Sequence, residues 1–409
     1  MIAALLRWLR GNDEETGRGF APRWRAGTEA RGRVGAAALT PPASAAVTDV
    51  LIERFCMDVT DIAYAEFYAA RSTGESVCAY FTTRLGFDRA AEHSHSDRDR
   101  VYVRAGEANV VVTTPRAEGG PVARWVDHHG CGIADLALYT EDLNASLKRA
   151  REAGLRAIHP PHEVRGATMA TITGVGSLLH TLIQPAGGQR PAAPPPFRVP
   201  AQAPRVTPFR LIDHLAVCVP AGELAGAAEV YERLLGAREL SREYVRVGDT
   251  GMSSRVLRTS GGGVTLVLAE PGRDRAKGQV DDFLAAHGGA GAQHMALLTD
   301  DIVHAVSDLT DRGAGFVPAP AAYYDHAAAR LGNDPRAVSR LAAMRHTGVL
   351  AAADHGGLLM QIFTTNAPDP VGPFFLELIE RMDGAVGFGT ENAEALFAAR
   401  EAASGELIA

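Results

Sequence analysis

The sequence predicts an α+β protein in which one strand-and-helix unit is used twice in tandem. Three observations lead to this. The chain has 409 residues, more than one ordinary domain holds. A proline-rich break falls near its middle. Segments on the two sides of that break match one another in order and pattern.

Residues 1–47 open with MIAALLRWL, where Arg7 interrupts the apolar run and no A-x-A-like cleavage site follows. The rest of this stretch is rich in Arg, Gly, Ala and Pro without sustained periodicity, so 1–47 is read as a flexible extension. Residues 48–184 form the first module. DIAYAEFYAA, from Asp61, alternates as a strand. HGCGIADLALYTEDLNASLKRAREAGLRAI, from His129, reads as strand, Asp-started amphipathic helix, glycine and strand. GSLLHTLIQ, from Gly176, is a further strand. Residues 185–208 hold eight prolines, which block helix continuation and central-strand pairing, and are read as a linker. Residues 209–409 repeat the pattern with IDHLAVCVPA from Ile212, HGGAGAQHMALLTDDIVHAVSDLTDRGAGFV from His287 and GGLLMQIFT from Gly356.

Composition narrows the function classes. Apolar residues make up 46% and charged residues 22%, ordinary for a soluble protein with ample material for a core. A formal charge of −7 gives no reason to expect nucleic acid or an acidic membrane as partner. No apolar stretch approaches the roughly 20 residues that span a bilayer. Cys56, Cys78, Cys131 and Cys218 lack CxxC or zinc-knuckle spacing and read as buried thiols of a reducing compartment. A cytoplasmic protein is expected.

Aligning the two modules exposes an asymmetry. His214 falls opposite Tyr64, and His294 opposite Asp135, with separations of 80 and 71 residues. Only the second copy carries a histidine pair at these strand positions. Two imidazoles plus one carboxylate on one face of a metal is the set used by non-haem Fe(II) oxygenases, which keep the opposite positions open for substrate and O2. PFFLELIER, residues 373–381, supplies a third candidate in Glu377, with Glu380 near its end. Each residue alone has a blander reading. A histidine beside Asp213 is often a hydrogen-bonded core residue, and His294 in an apolar run is equally a satisfied core histidine. Glu377 is harder to dismiss, because alternation sets it among residues that want burial and an unpaired buried charge is costly. Arg381 lies on the same strand face and could be its partner.

IDH at 212–214, GAGAQHMAL at 289–297, AYYD at 322–325, LLMQIFTT at 358–365 and FFLELIERMDGAVGFGTEN at 374–392 together resemble the 4-hydroxyphenylpyruvate dioxygenase family, which includes 4-hydroxymandelate synthase. The resemblance implies two tandem vicinal-oxygen-chelate (glyoxalase-like, βαβββ-repeat) modules forming half-open barrels, with Fe(II) in the C-terminal one. It implies His214, His294 and Glu377 as iron ligands, and Ser254, Gln279, Gln293 and Gln361 as polar pocket residues. Phe363 and Phe388 would hold the substrate ring. The implied chemistry is oxidation of an aromatic 2-oxo acid by O2, with decarboxylation, giving homogentisate if the ring is attacked or 4-hydroxymandelate if the benzylic carbon is.

Departures from the dioxygenase pattern bear on the branch. GFGTENAEALF places Ala393 where the homogentisate-forming enzymes usually have Phe. VTLVLAEP, 264–271, has Val267 and Ala269 in place of the polar PxNEP pattern. In the first module, ATITGVGSLLHTLIQ also looks closer to the synthase version. All three favour benzylic hydroxylation; the dioxygenase, or an enzyme of another aryl or alkyl 2-oxo acid, is the alternative. An extradiol ring-cleaving enzyme would share the fold and ligand types but has no reason to carry the FFLELIER–GFG tail. A sequestering binder of the same fold needs no ligand triad. Residues 391–403 read as an amphipathic helix, which the resemblance makes a lid over the iron site. The first module is expected to support the fold and contacts within a homo-oligomer, dimer or tetramer, and to bind no metal.

Overall fold

The computed structural model describes residues 59–199, 207–247, 250–272, 276–319, 321–325, 327–332, 335–354, 357–365, 373–389 and 392. The extension 1–47, part of the 185–208 linker, Ala393 and all but one residue of the expected terminal helix lie outside the described residues.

The first module runs β1 (Val59–Tyr68), α1 (Gly74–Ala79), β2 (Asp88–Ser94), β3 (Arg98–Ala105), β4 (Ala108–Pro115), α2 (Pro121–His129), β5 (Gly132–Thr140), α3 (Leu143–Glu152), β6 (Ala157–Val164), β7 (Ala167–Thr173) and β8 (Leu179–Pro185). The second runs β9 (Leu211–Cys218), α4 (Leu224–Leu235), β10 (Arg238–Val247), β11 (Thr250–Arg258), β12 (Thr265–Pro271), α5 (Gln279–His287), β13 (Gly291–Leu298) and α6 (Ile302–Asp311). It continues through α7 (Ala321–Asp325), α8 (Ala327–Arg330), α9 (Pro335–Thr347), β14 (Leu350–Asp354), β15 (Gly357–Phe363) and β16 (Phe375–Met382). Each module is one eight-stranded sheet, in the orders β2-β3-β4-β1-β5-β8-β7-β6 and β10-β11-β12-β9-β13-β16-β15-β14. A βαβββ unit is thus used twice within each sheet, the tandem vicinal-oxygen-chelate architecture. Helices α3 and α6 begin alike: Asp142 accepts from Ala145 N, and Asp301 from His304 N. Among the described residues no helix is long and apolar enough to cross a membrane.

The sheet registers superimpose the modules residue by residue. His214 pairs with Ala296 and His294 with Ala216, as Tyr64 pairs with Ala137 and Asp135 with Glu66. The irregularities recur too: one falls at Asp213 and at Ala63, another at Gln293 and at Ala134. A bulge lets two successive residues escape strict alternation. This is how Gln293 and His294 both come to line one cavity.

Along the rest of β9, β13 and β16 the side chains alternate between the two faces of the sheet. Leu215 and Val217 of β9, Met295 and Leu297 of β13, and Leu376 and Leu378 of β16 enter a core that runs continuously through both modules. Phe67 meets Phe374 edge-on at 5.2 Å across the junction, and the buried His180 ring nitrogen lies 3.2 Å from the Tyr231 hydroxyl. The concave face of the first sheet is filled by the proline-rich segment itself. Ala193 and Phe197 are buried against Tyr64, Tyr102 and Val111, and the Phe197 ring stacks on Tyr102 at 5.2 Å. In the second sheet the same face is open.

Candidate metal centre

The second concave face encloses a cavity of about 270 Å³. His214 from β9, His294 from β13 and Glu377 from β16 reach it from three neighbouring strands. Their donor atoms lie within 4.8 Å of one another, and among the described residues they are the one such group of His, Cys, Asp or Glu. Glu377 Oε2 is 3.3 Å from His214 Nε2 and 3.5 Å from His294 Nε2. Two ligands held about 2.1 Å from one ion at a right angle would be about 3 Å apart, so Glu377 stands to each histidine nearly as two neighbouring ligands of one metal would. The two rings stand at 80° with centroids 5.8 Å apart, which separates their lone-pair directions.

The surrounding groups prepare the ligands. Asp213 Oδ1 lies 2.8 Å from His214 Nδ1, which leaves Nε2 facing Glu377. Gln293 Oε1 lies 3.2 Å from His294 Nδ1 and does the same there. Burial opposes charge on His214, but Glu377 and Asp213 outweigh it and raise the imidazole to about 9. Burial dominates at His294 and lowers it. For Glu377 burial is again opposed, here by both histidines, and the carboxyl is held down at about 2. A buried carboxylate among apolar residues therefore has a cationic neighbour, and the donor chemistry fits a divalent ion in that role.

All the other expected pocket residues that are described also line the cavity. Ser254 lies on β11, Gln279 begins α5, Gln361 and Phe363 are on β15, and Phe388 follows β16. Gln293 Nε2 and Gln361 Oε1 are buried with no hydrogen-bond partner in the protein, as expected of groups that serve a ligand. Gly389 has φ +76°, and a Cβ there would collide with the Gln361 side chain. The small residues Val267 and Ala269 face the cavity from β12.

One expectation changes. Arg381 does not pair with Glu377; its guanidinium donates to Asp213 at 2.8 and 2.9 Å. Glu380 points to the other face, where it pairs with Arg340 at 2.7 Å and accepts from Ile302 N at 2.8 Å. Phe375 was missed: its ring stacks on His294 at 4.9 Å and 21°. Strand parity with Glu377 was the available signal. Asp213 was legible only as the neighbour of His214, and its link to Arg381 was not.

At the corresponding place in the first sheet, Asp135 accepts from Thr181 N at 2.8 Å and from its hydroxyl, while Glu66 pairs with Arg100 at 3.1 Å and accepts from Thr113 at 2.6 Å. Both carboxylates thus have hydrogen-bond partners within the protein.

Comparison with known proteins agrees with this architecture. Residues 211–338 match the Glyoxalase/Bleomycin resistance protein/Dioxygenase superfamily. Hemolysin VllY of Vibrio vulnificus is 31% identical over 340 residues, 82% of this chain and 92% of that protein. The 4-hydroxyphenylpyruvate dioxygenase of Aspergillus fumigatus is 26% identical over 365 residues, 80% of this chain and 89% of that one. A solved mutant of 4-hydroxymandelate synthase from Streptomyces coelicolor superimposes with a TM-score of 0.74 and 40% identity, covering 85% of this chain and all (100%) of that one. The chain belongs to the 4-hydroxyphenylpyruvate dioxygenase and 4-hydroxymandelate synthase family of non-haem dioxygenases.

Proposed function

We propose that this chain is a 4-hydroxymandelate synthase, converting 4-hydroxyphenylpyruvate and O2 into 4-hydroxymandelate and CO2, with Fe(II) held by His214, His294 and Glu377. The observation that carries the reading is the convergence of those three donors inside a small, largely apolar cavity. The ion would supply a centre at which a 2-oxo acid chelates and O2 is activated. The chain's own residues would do the rest. Gln293 and Asp213 orient the imidazoles. Phe363, Phe375 and Phe388 confine the ring, and Ser254, Gln279 and Gln361 offer polar contacts along it. A cavity of about 270 Å³ suits one small aromatic acid.

The product branch rests on the wall. Ring attack needs the ring held against the reacting centre, whereas benzylic attack needs only the side chain there. Val267 and Ala269 leave the β12 wall small and apolar, which favours the benzylic outcome. The 40% identity to the mutant 4-hydroxymandelate synthase of Streptomyces coelicolor supports the same branch. The dioxygenase reading, giving homogentisate, draws support from the relatives that bear that name.

The deciding experiment is anaerobic loading with Fe(II), addition of 4-hydroxyphenylpyruvate and O2, and identification of the product by chromatography and NMR. The two products are isomers, so mass alone does not separate them. A benzylic alcohol supports the synthase, and homogentisate overturns it in favour of the dioxygenase. Fe(II)-dependent O2 uptake with neither product moves the assignment to another 2-oxo acid.

A further inference from the structure

Arg381 stands where the second sheet hands over to the segment that folds back across the cavity. Every edge of its guanidinium is used. Nε and Nη2 donate to Asp213 at 2.8 and 2.9 Å, as a planar fork on a carboxylate. Nη1 donates to the Gly387 carbonyl at 2.7 Å, with the Ala385 carbonyl at 3.4 Å. Its carbon lies 4.9 Å from the centre of the Phe388 ring. Asp213 in turn accepts from His214 Nδ1, and Phe388 meets the His214 ring edge-on at 5.1 Å. The segment is anchored a second time by Asp354, whose carboxylate accepts from the backbone of Val386 and Gly387.

We propose that Arg381 is a positioning residue that couples the seating of residues 385–389 to the orientation of His214. The inference rests on reading His214, His294 and Glu377 as metal ligands. With the segment seated, the Gly387 carbonyl and the Phe388 ring hold the guanidinium plane, and that plane fixes Asp213. Asp213 then fixes which nitrogen of His214 carries the proton and where Nε2 points. With the segment displaced, the guanidinium loses two of its three supports and Asp213 is free to turn. Phe388 and Gly389 also line the cavity, so a molecule bound there touches the same segment. Lysine cannot replace this residue, because a single ammonium has no fork to hold a carboxylate and a carbonyl in one plane.

The test uses the full chain loaded with Co(II), without substrate or O2, reading Co(II) affinity and its visible absorption bands. Arg381→Met is expected to weaken Co(II) binding about 10- to 100-fold and to shift the bands. Arg381→Lys should restore charge but not the wild-type spectrum. Asp354→Ala loosens the segment without touching His214. It should shift the bands in the wild-type background and add nothing in the Arg381→Met background. Effects of Asp354→Ala and Arg381→Met that simply add would overturn the coupling. So would wild-type affinity and spectrum in Arg381→Met. If Arg381→Met does not fold, Arg381→Lys with and without Asp354→Ala carries the same comparison. His294→Ala and Glu377→Ala separate the two failures. Co(II) retained in them sinks the ligand assignment, whereas Co(II) lost in them but unperturbed in the Arg381 variants sinks only the coupling.

Discussion

Asp135 and Thr181 occupy in the first sheet the register positions that His294 and Glu377 occupy in the second, and they are hydrogen-bonded to each other at 2.8 Å. The same backbone frame thus holds a self-satisfied polar pair in one copy and two converging donors in the other. At these positions the two copies differ in their side chains, which makes the difference directly testable.

Metal uptake should follow the second copy. His294→Ala is expected to abolish retention of Fe(II) or Co(II) after desalting, whereas Asp135→Ala should leave the bound metal at the wild-type level. Metal analysis of the two purified variants checks this, and equal loss in both contradicts the assignment.

Asp135 should also set a slope in stability against pH. Burial, then the Glu66 charge, raise its carboxyl to about 7, against about 3.9 when unfolded. Between those values the folded chain keeps a proton that the unfolded chain releases. The stability this group contributes is therefore present below about pH 4 and lost as the pH rises through about 7. Asp135→Asn should flatten that part of the profile by a few kcal/mol, order of magnitude, relative to wild type. Urea unfolding at pH 5 and pH 8 measures it; parallel profiles would show that Asp135 is not the group responsible.

Filling the β12 wall should cost substrate affinity before it costs metal. Ala269→Phe puts a ring into a cavity of about 270 Å³. The KM for 4-hydroxyphenylpyruvate is expected to rise about 10-fold or more, with metal content unchanged. An unaltered KM would place the substrate ring elsewhere.

The proline-rich segment should behave as part of the first module's core. Phe197→Ala removes a buried ring stacked on Tyr102 and is expected to lower stability by about 3–5 kcal/mol. Denaturant unfolding reads that loss, and Co(II) titration should show no change in the second module. A loss below about 1 kcal/mol would mean the segment merely rests on the sheet.

Much of the site was legible because a repeat supplies its own control. His214 and His294 stand out against Tyr64 and Asp135 only when the copies are aligned, and Glu377 stands out because strand alternation leaves it no exit from the interior. Phe375 shares that parity and could have been found. The pairing of Asp213 with Arg381 could not, because it joins residues 168 positions apart.

By itself the sequence determined the period of the fold, the side of each strand that faces inward, and which copy carries imidazoles. These follow from local alternation and from the chemistry of single residues. Only the tertiary structure decided that Asp213 takes the Arg381 charge, that the proline-rich segment fills one half-barrel while the other stays open, and that three donors from separate strands meet within 4.8 Å. Such distances depend on sheet register, bulges and curvature, which are set by packing across the whole sheet and are written in no single segment.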